Sequence, residues 1–218
     1  MSPVPLPPSP WVFEPSEWPP DDCIAGGADL EPSTIIDAYR QGAFPMPHGR
    51  RLLWWSPLER GVLGPGDLRV SRSLRRSMRA FTITVDTDFA AVVDACADRR
   101  RPGWWINADI RAAYVRLHQL GWAHSIETRD EQGRLVGGLY GLSIGSLFAG
   151  ESMFHHRTDA SKAALVGLVE RMSTLDDWLV DTQWQTPHLA SLGVRAVSRD
   201  DYVATIEGLV DGPTPVWD

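Results

Sequence analysis

The sequence predicts a mixed α/β (α+β) protein, with a small N-terminal domain over 1–58 and a larger domain over 59–218. Three observations predict it. After residue 70, short apolar runs with strand character alternate with stretches whose apolar residues recur at helical spacing. Residues 1–57 lack that order and are rich in proline and aromatic residues. A chain of 218 residues, 43% apolar and 22% charged, has the composition of an ordinary globular protein and the length to bury a sizeable core.

Residues 1–20 hold eight prolines and are expected to form an extended arm rather than a helix, ordered in part by Trp11, Phe13 and Trp18. Residues 32–41 read as a short helix: Pro32 suits the first turn, Ile35, Ile36 and Tyr39 share a face, and Gly42 ends it. Residues 71–79 read as a helix with an arginine-rich face, and 81–85 as a strand. A helix over 88–97 follows, with Phe89, Val92, Val93 and Cys96 on one side. Asn107 suits the N-cap of a helix to Leu120, which Gly121 stops. Residues 122–128 alternate as a strand, and 135–142 and 146–152 form a hairpin around Gly145. Asp159 is expected to cap a helix over 160–172, and 178–183 reads as a strand. A short helix opens at Thr186-Pro187 and closes at Gly193. A last strand covers 194–198 and a last helix 199–209, and the tail 211–218 is expected to fray.

Net charge is −7, yet Arg69, Arg72, Arg75, Arg76 and Arg79 lie together with no acid between them, and Arg99, Arg100 and Arg101 form a second run. Screening confines fields to about 8 Å at physiological salt, so a local basic patch can bind phosphates on an acidic protein; the plainer reading is a solvated helix face. Cys23 and Cys96 lie far apart and suggest no disulfide framework, which makes a reducing, cytoplasmic setting the default. There is no signal-peptide pattern, and no apolar stretch reaches the ~18 residues of a membrane span. Adjacent His155 and His156 lack the spacing of a zinc site, and no metal or other cofactor is expected. His124 and His188 are expected to be structural.

Two carboxylates stand out. Glu151 and Asp181 sit within apolar strand-like runs, LFAGESM and LVDTQ. Acidic residues are almost never fully buried unless paired, because an unpaired buried charge is costly. Chemistry is therefore expected at these positions. Asp181 and Gln183, two apart on the expected strand, would share a face.

These same segments carry a resemblance. In order, the chain contains GGADL (26–30), AYRQGAFP (38–45), LLWWSP (52–57), SRSLRR (71–76), DACADRR (94–100), WIN (105–107), AYVRLHQLGWAHSIE (113–127), LVGGLYGLSIG (135–145), LFAGESMF (147–154), DASKAAL (159–165), LVDTQ (179–183) and HLASLG (188–193). A dozen motifs in one order, over most of the chain, resemble the leucyl/phenylalanyl-tRNA–protein transferase family. The resemblance implies transfer of Leu or Phe, sometimes Met, from aminoacyl-tRNA to proteins beginning with Arg or Lys, creating an N-degron. It also implies a C-terminal domain like that of the N-acetyltransferase (GNAT) superfamily. A monomer that binds no membrane is expected.

By the same resemblance, Asp181 would polarise Gln183, whose amide oxygen would orient the attacking amine; an amide is too weak a base to do more, so positioning carries the rate. Glu151 would accept either from the α-ammonium of the carried amino acid or from the basic N-terminal residue of the acceptor, with an arginine salt bridge as its purely structural alternative. Leu139, Phe148, Met153, Leu165 and Leu168 are candidates for the amino-acid pocket. Tyr39, Trp105 and Tyr114 match residues near the terminal adenosine, and Arg72, Arg75, Arg76 and Arg79 match a cluster facing tRNA phosphates. Met46 stands where the family usually has a second stacking tryptophan, His155-His156 departs from the family pattern after GESMF, and Thr182 is a change on the strand's opposite face. The competing classes are an acyl-CoA-dependent N-acetyltransferase and a non-catalytic binder of tRNA ends. The first is disfavoured because 155–160 has no glycine to cradle a pyrophosphate.

Overall fold

A computed structural model of the chain describes residues 3–101 and 103–217. In chain order the elements are β1 (Cys23–Gly26), α1 (Pro32–Arg40), β2 (Phe44–Pro45), β3 (Leu53–Trp55), β4 (Glu59–Leu63), α2 (Arg72–Met78), β5 (Thr82–Val85), α3 (Phe89–Cys96), α4 (Ala108–Gln119), β6 (Ala123–Arg129), β7 (Leu135–Ile144), β8 (Leu147–His155), α5 (Ala160–Met172), β9 (Leu179–Asp181), α6 (Pro187–Ser191), β10 (Arg195–Ser198) and α7 (Arg199–Leu209). The small N-terminal region carries a three-stranded sheet, β1-β3-β2. The larger sheet has seven strands in the order β10-β4-β9-β8-β7-β6-β5, with every neighbouring pair antiparallel except β8 and β9.

Two apolar layers cover this sheet. One joins α1, α3, α4 and α7, and in it Ile35, Tyr39 and Trp54 from before residue 58 pack in the same cluster as Tyr114, Tyr140 and Tyr202. The other is built on α5, with Leu74 of α2, Leu192 beyond α6, and Trp217. Several ends follow from local chemistry. Ser71, Asn107, Thr186 and Ser198 each accept a hydrogen bond from a first-turn amide, and so start α2, α4, α6 and α7.

Four expectations are corrected. Asp159 does not cap α5: its backbone is left-handed (φ 67°), which turns the carboxylate away from the first-turn amides and towards Lys162 Nζ (2.8 Å) and Ser77 Oγ (2.9 Å). The strand expected over 178–183 ends at Asp181, because Gln183 is left-handed (φ 57°). The arm is extended but includes one 3-10 turn, Pro15–Glu17, and is tied down where Trp122 Nε1 donates to Val4 O at 2.9 Å and Phe13 meets Trp54 edge-on. β4 and the short N-terminal strands are additions to the elements that local sequence pattern predicts.

The tail, expected to fray, is docked. Trp217 is buried, stacks on His124 at 4.2 Å and donates Nε1 to Ser143 Oγ at 3.1 Å, while Ser146 Oγ donates to Pro213 O at 3.0 Å. Truncating a buried tryptophan costs about 3 kcal/mol or more. Trp217→Ala is therefore expected to lower the urea midpoint of unfolding; an unchanged midpoint would mean that the tail adds nothing to the core.

Candidate active site

Glu151 is placed by an irregularity in the sheet. The β7–β8 register runs Tyr140↔Ser152 and then Gly141↔Gly150, which leaves Glu151 as the extra residue of a bulge. A bulge re-aims the side chain it carries. Here it sends the carboxylate to two tyrosines: Tyr39 of α1 donates to Oε1, and Tyr114 of α4 donates to Oε2 at 2.8 Å. The two hydroxyls are also hydrogen-bonded to each other at 3.0 Å. Burial raises the Glu151 carboxyl from the ordinary 4.5 to about 7, against the opposing pull of the tyrosine hydrogen bonds. Its partners are thus tyrosines rather than the arginine of the structural alternative.

Asp181 ends β9, the parallel neighbour of β8, and is fully buried. Arg60 of β4, equally buried, grips it with both arms of the guanidinium: Nε donates to Oδ1 at 2.8 Å and Nη2 to Oδ2 at 2.6 Å. Tyr202 of α7 adds its hydroxyl to Oδ2 at 3.0 Å. Asp181 then holds Gln183 by the backbone, accepting its N–H on Oδ1 at 2.9 Å. The expected polarisation of the Gln183 side chain is therefore corrected: the turn after Asp181 gives the carboxylate the main-chain amide instead. The side-chain Nε2 of Gln183 is buried and has no hydrogen-bond partner among the described residues. A buried donor left unpaired costs about 1–3 kcal/mol, and such a group awaits an acceptor.

Glu151 and Gln183 both line one cavity of about 260 Å³. Its apolar wall comes from Leu139, Met153, Leu165, Leu168, Val180 and Leu189, and Arg101 and His188 also line it. Burial, with Lys162 and His155 nearby, holds the His188 imidazole below its ordinary value. Beyond the cavity, α2 and its C-cap present Arg72, Arg75, Arg76 and Arg79 to solvent, with no carboxylate paired to any of them among the described residues.

A family model described as leucyl/phenylalanyl-tRNA protein transferase matches residues 62–207, and one for the N-terminal domain of those proteins matches residues 28–58. The chain belongs to this family of aminoacyltransferases. Among proteins named leucyl/phenylalanyl-tRNA–protein transferase, that of Dechloromonas aromatica is 45% identical, with 94% of this chain and 92% of the relative covered. That of Chromobacterium violaceum is 47% identical, with 91% and 88% covered. That of Stutzerimonas stutzeri is 47% identical, with 89% and 88% covered. Among solved structures, one described as the structure of L-PGS from Bacillus licheniformis aligns at a TM-score of 0.42 and 11% identity, covering 70% of this chain and 64% of that one.

Against the residues that the leucyl/phenylalanyl-tRNA–protein transferase resemblance singles out, the placement is mixed. Leu139, Met153, Leu165 and Leu168 line the cavity, but Phe148 does not. Its ring is fully buried on the α5 side, near Trp217, and belongs to the core. Tyr39 and Tyr114 are also fully buried, so neither offers a ring face to a base; both hydroxyls are hydrogen-bonded to Glu151. Met46 and Trp105 are half-buried beside the apolar layer that includes α1 and α4, and neither lines the cavity. Thr182, expected on the opposite face, lines the cavity, because the strand has already ended.

Sequence reasoning missed Arg60. Its signal was present: an arginine inside ERGVL, an apolar run, needs a buried anion, and Asp181 needs a buried cation. Gly61 was missed too. Its N–H donates to Gln183 O at 2.8 Å, and a Cβ there would lie 2.7 Å from Thr182 Oγ1 and 2.8 Å from the Gln185 nitrogen. Gly61→Ala is expected to push the 182–185 turn away and lower kcat for transfer about tenfold or more, given how steeply rate falls with small misplacements. An unchanged kcat would mean that the turn has slack. A separate group, Asp86, His118 and His124, brings its polar atoms within 4.8 Å of one another. His124 Nδ1 is hydrogen-bonded to Asp86 at 2.6 Å and His118 Nδ1 to Ala123 O at 2.8 Å, so both rings have partners in the protein.

Proposed function

We propose that the protein transfers Leu or Phe, and less well Met, from aminoacyl-tRNA to the α-amine of proteins beginning with Arg or Lys, making N-degrons in the cytoplasm as a monomer. The observation that carries this reading is an apolar cavity with a carboxylate and an unsatisfied amide among its lining residues. The apolar wall takes a Leu or Phe side chain. Such a wall separates side chains by only about 1–3 kcal/mol per methylene, so overlapping preferences are expected. As a carboxylate, Glu151 accepts from the α-ammonium of the carried amino acid.

The reaction is aminolysis of an ester. The acceptor's α-amine, already neutral, attacks the ester carbonyl and a C–N bond forms. The C–O bond to the ribose of the terminal adenosine then breaks, and that oxygen takes the proton released by the nitrogen. Gln183 serves both partners: its orphan Nε2 donates to the carbonyl oxygen as charge builds there, and its Oε1 accepts from the attacking amine. Asp181 and Arg60 hold Gln183 rather than touching substrate. The division near Leu58 and a GNAT-like architecture for 59–218 are part of this reading. They are supported by the change of sheet between β3 and β4 and by the parallel β8–β9 pair that carries Glu151 and Asp181.

The test is transfer of radiolabelled Leu from charged tRNA to a peptide beginning with Arg, beside one beginning with Gly. Label on the Arg peptide alone is expected. Label on both would remove the acceptor specificity, and label on neither, with tRNA still bound, would favour a binder of tRNA ends.

A further inference from the structure

We propose that the surface between the α2 arginines and the cavity is a track for the single-stranded 3′ end of an RNA, with His156 and Arg157 as its middle contacts. The proposal rests on the aminoacyl-tRNA reading and deepens it.

Three depressions adjoin one another. The cavity shares Arg101 with a groove whose lining includes Arg100, His155 and His156. That groove shares His156 with another lined by Arg76, Phe81 and Arg157. The shared residues set the three side by side between Gln183 and α2. They follow from chain order, because β8 carries Glu151 and runs directly into His155, His156 and Arg157 before α5 begins.

The charge along these grooves suits phosphates. Arg101 is fixed by donating to two main-chain carbonyls, Cys96 O at 2.8 Å and Met153 O at 2.5 Å, and forms no ion pair among the described residues. Three carboxylates stand on or beside the grooves, each with a cation partner; one is Asp159, which accepts from Ser77 at 2.9 Å and is paired with Lys162 at 2.8 Å. Asp98 is engaged by Arg100 at 2.8 Å and Glu131 by Arg157 at 2.9 Å. One ring lies open among the cations: the half-buried Phe81, with Arg157 over it at 5.1 Å; Phe154, which His156 meets at 5.1 Å, is buried and only supports that side chain from beneath. Cations that follow a backbone beside aromatic rings are what single-stranded nucleic acid binds. Phosphate contacts of this kind are independent of base sequence and sensitive to salt. The α2 arginines, at the far end, are left for the duplex portion.

The experiment uses three leucyl donors of increasing length with the full-length protein: leucyl-adenosine, a leucylated trinucleotide with the tRNA 3′ sequence, and leucyl-tRNA. Two double variants are compared, His156→Ala with Arg157→Ala, and Arg72→Ala with Arg79→Ala. With leucyl-adenosine, both are expected to match the wild type. With the trinucleotide, only the His156/Arg157 variant is expected to raise KM, by about fivefold or more, with a shallower salt dependence. With leucyl-tRNA, both variants raise KM. Glu131→Gln, which frees Arg157, is expected to lower KM for the trinucleotide and guards against a loss caused only by misfolding. The track is overturned if the His156/Arg157 variant affects the trinucleotide no more than the α2 variant does. It is overturned equally if the variant raises KM for the acceptor peptide instead, which would point to an acidic protein segment. A wild type that uses no donor sinks the transferase reading; binding of the uncharged trinucleotide to the same variants then still decides the track.

Discussion

Arg60→Met is expected to lose about 3–5 kcal/mol of stability and to abolish detectable transfer, because it leaves Asp181 fully buried without its counter-charge. The size follows from asymmetry. Two buried charges in bidentate contact roughly repay their desolvation, but either one alone does not. Asp181→Leu should cost a similar amount for the same reason. The pair can be separated from the chemistry with the double variant Arg60→Met/Asp181→Leu. Apolar replacement of a whole buried ion pair is often neutral or stabilising, so chemical denaturation should recover much of the lost stability. Transfer should not recover, because nothing then holds the Gln183 main-chain amide or its left-handed turn. Recovery of both would reduce the ion pair to scaffolding. Recovery of stability alone would make Arg60 and Asp181 positioning residues for Gln183.

Glu151→Gln is expected to remove a limb of the pH profile. The wild-type carboxyl titrates near 7, and only its ionised form attracts the α-ammonium of the carried amino acid. Thus kcat/KM, which reports groups of the free enzyme, should rise with pH through about 7 in the wild type. In the variant it should be low and should keep only the later rise, at about 8, that comes from the acceptor's own α-amine becoming neutral. Stability moves the opposite way. The folded state holds the Glu151 proton to a higher pH than the unfolded chain does, about 7 against 4.5. This contribution is fully present below 4.5, is lost as pH rises from 4.5 through 7, and is constant above. Glu151→Gln cannot ionise, so its stability relative to wild type should improve between pH 5 and pH 8. A variant that keeps the wild-type rise would assign the titration to another group.

Much of this was legible in the sequence where local chemistry decides structure. Pro32 and Gly42 bracket α1, and Ser198 starts α7, because caps act within one turn. Glu151 and Asp181 stood out because charge inside an apolar run has few explanations. What escaped depends on residues far away in the chain. β4 escaped because Arg60 and Gly61 break the apolar pattern, and they do so for the sake of Asp181 and the 182–185 turn. The docked tail hangs on Trp217 reaching His124 and Ser143. The burial of Tyr39 and Tyr114 could not be read from motifs, since an aromatic ring with a hydroxyl suits a stacking surface and a buried hydrogen bond equally. The bulge at Glu151 is a mismatch between two strands, visible only once they are paired.

The contacts that complete the site join residues 112 and 121 positions apart, Tyr39 with Glu151 and Arg60 with Asp181. Contacts of such separation form after local ones, because loop closure must precede them. A nascent chain emerging from the ribosome therefore carries Tyr39 and Arg60 long before it carries their partners, and a chain stopped short of Asp181 has neither the anion for Arg60 nor the amide of Gln183. Synthesis itself acts as a safety catch: a chain that stops before Asp181 holds only part of this constellation, and the proposed transfer has its full set of groups only once Gln183 has been made.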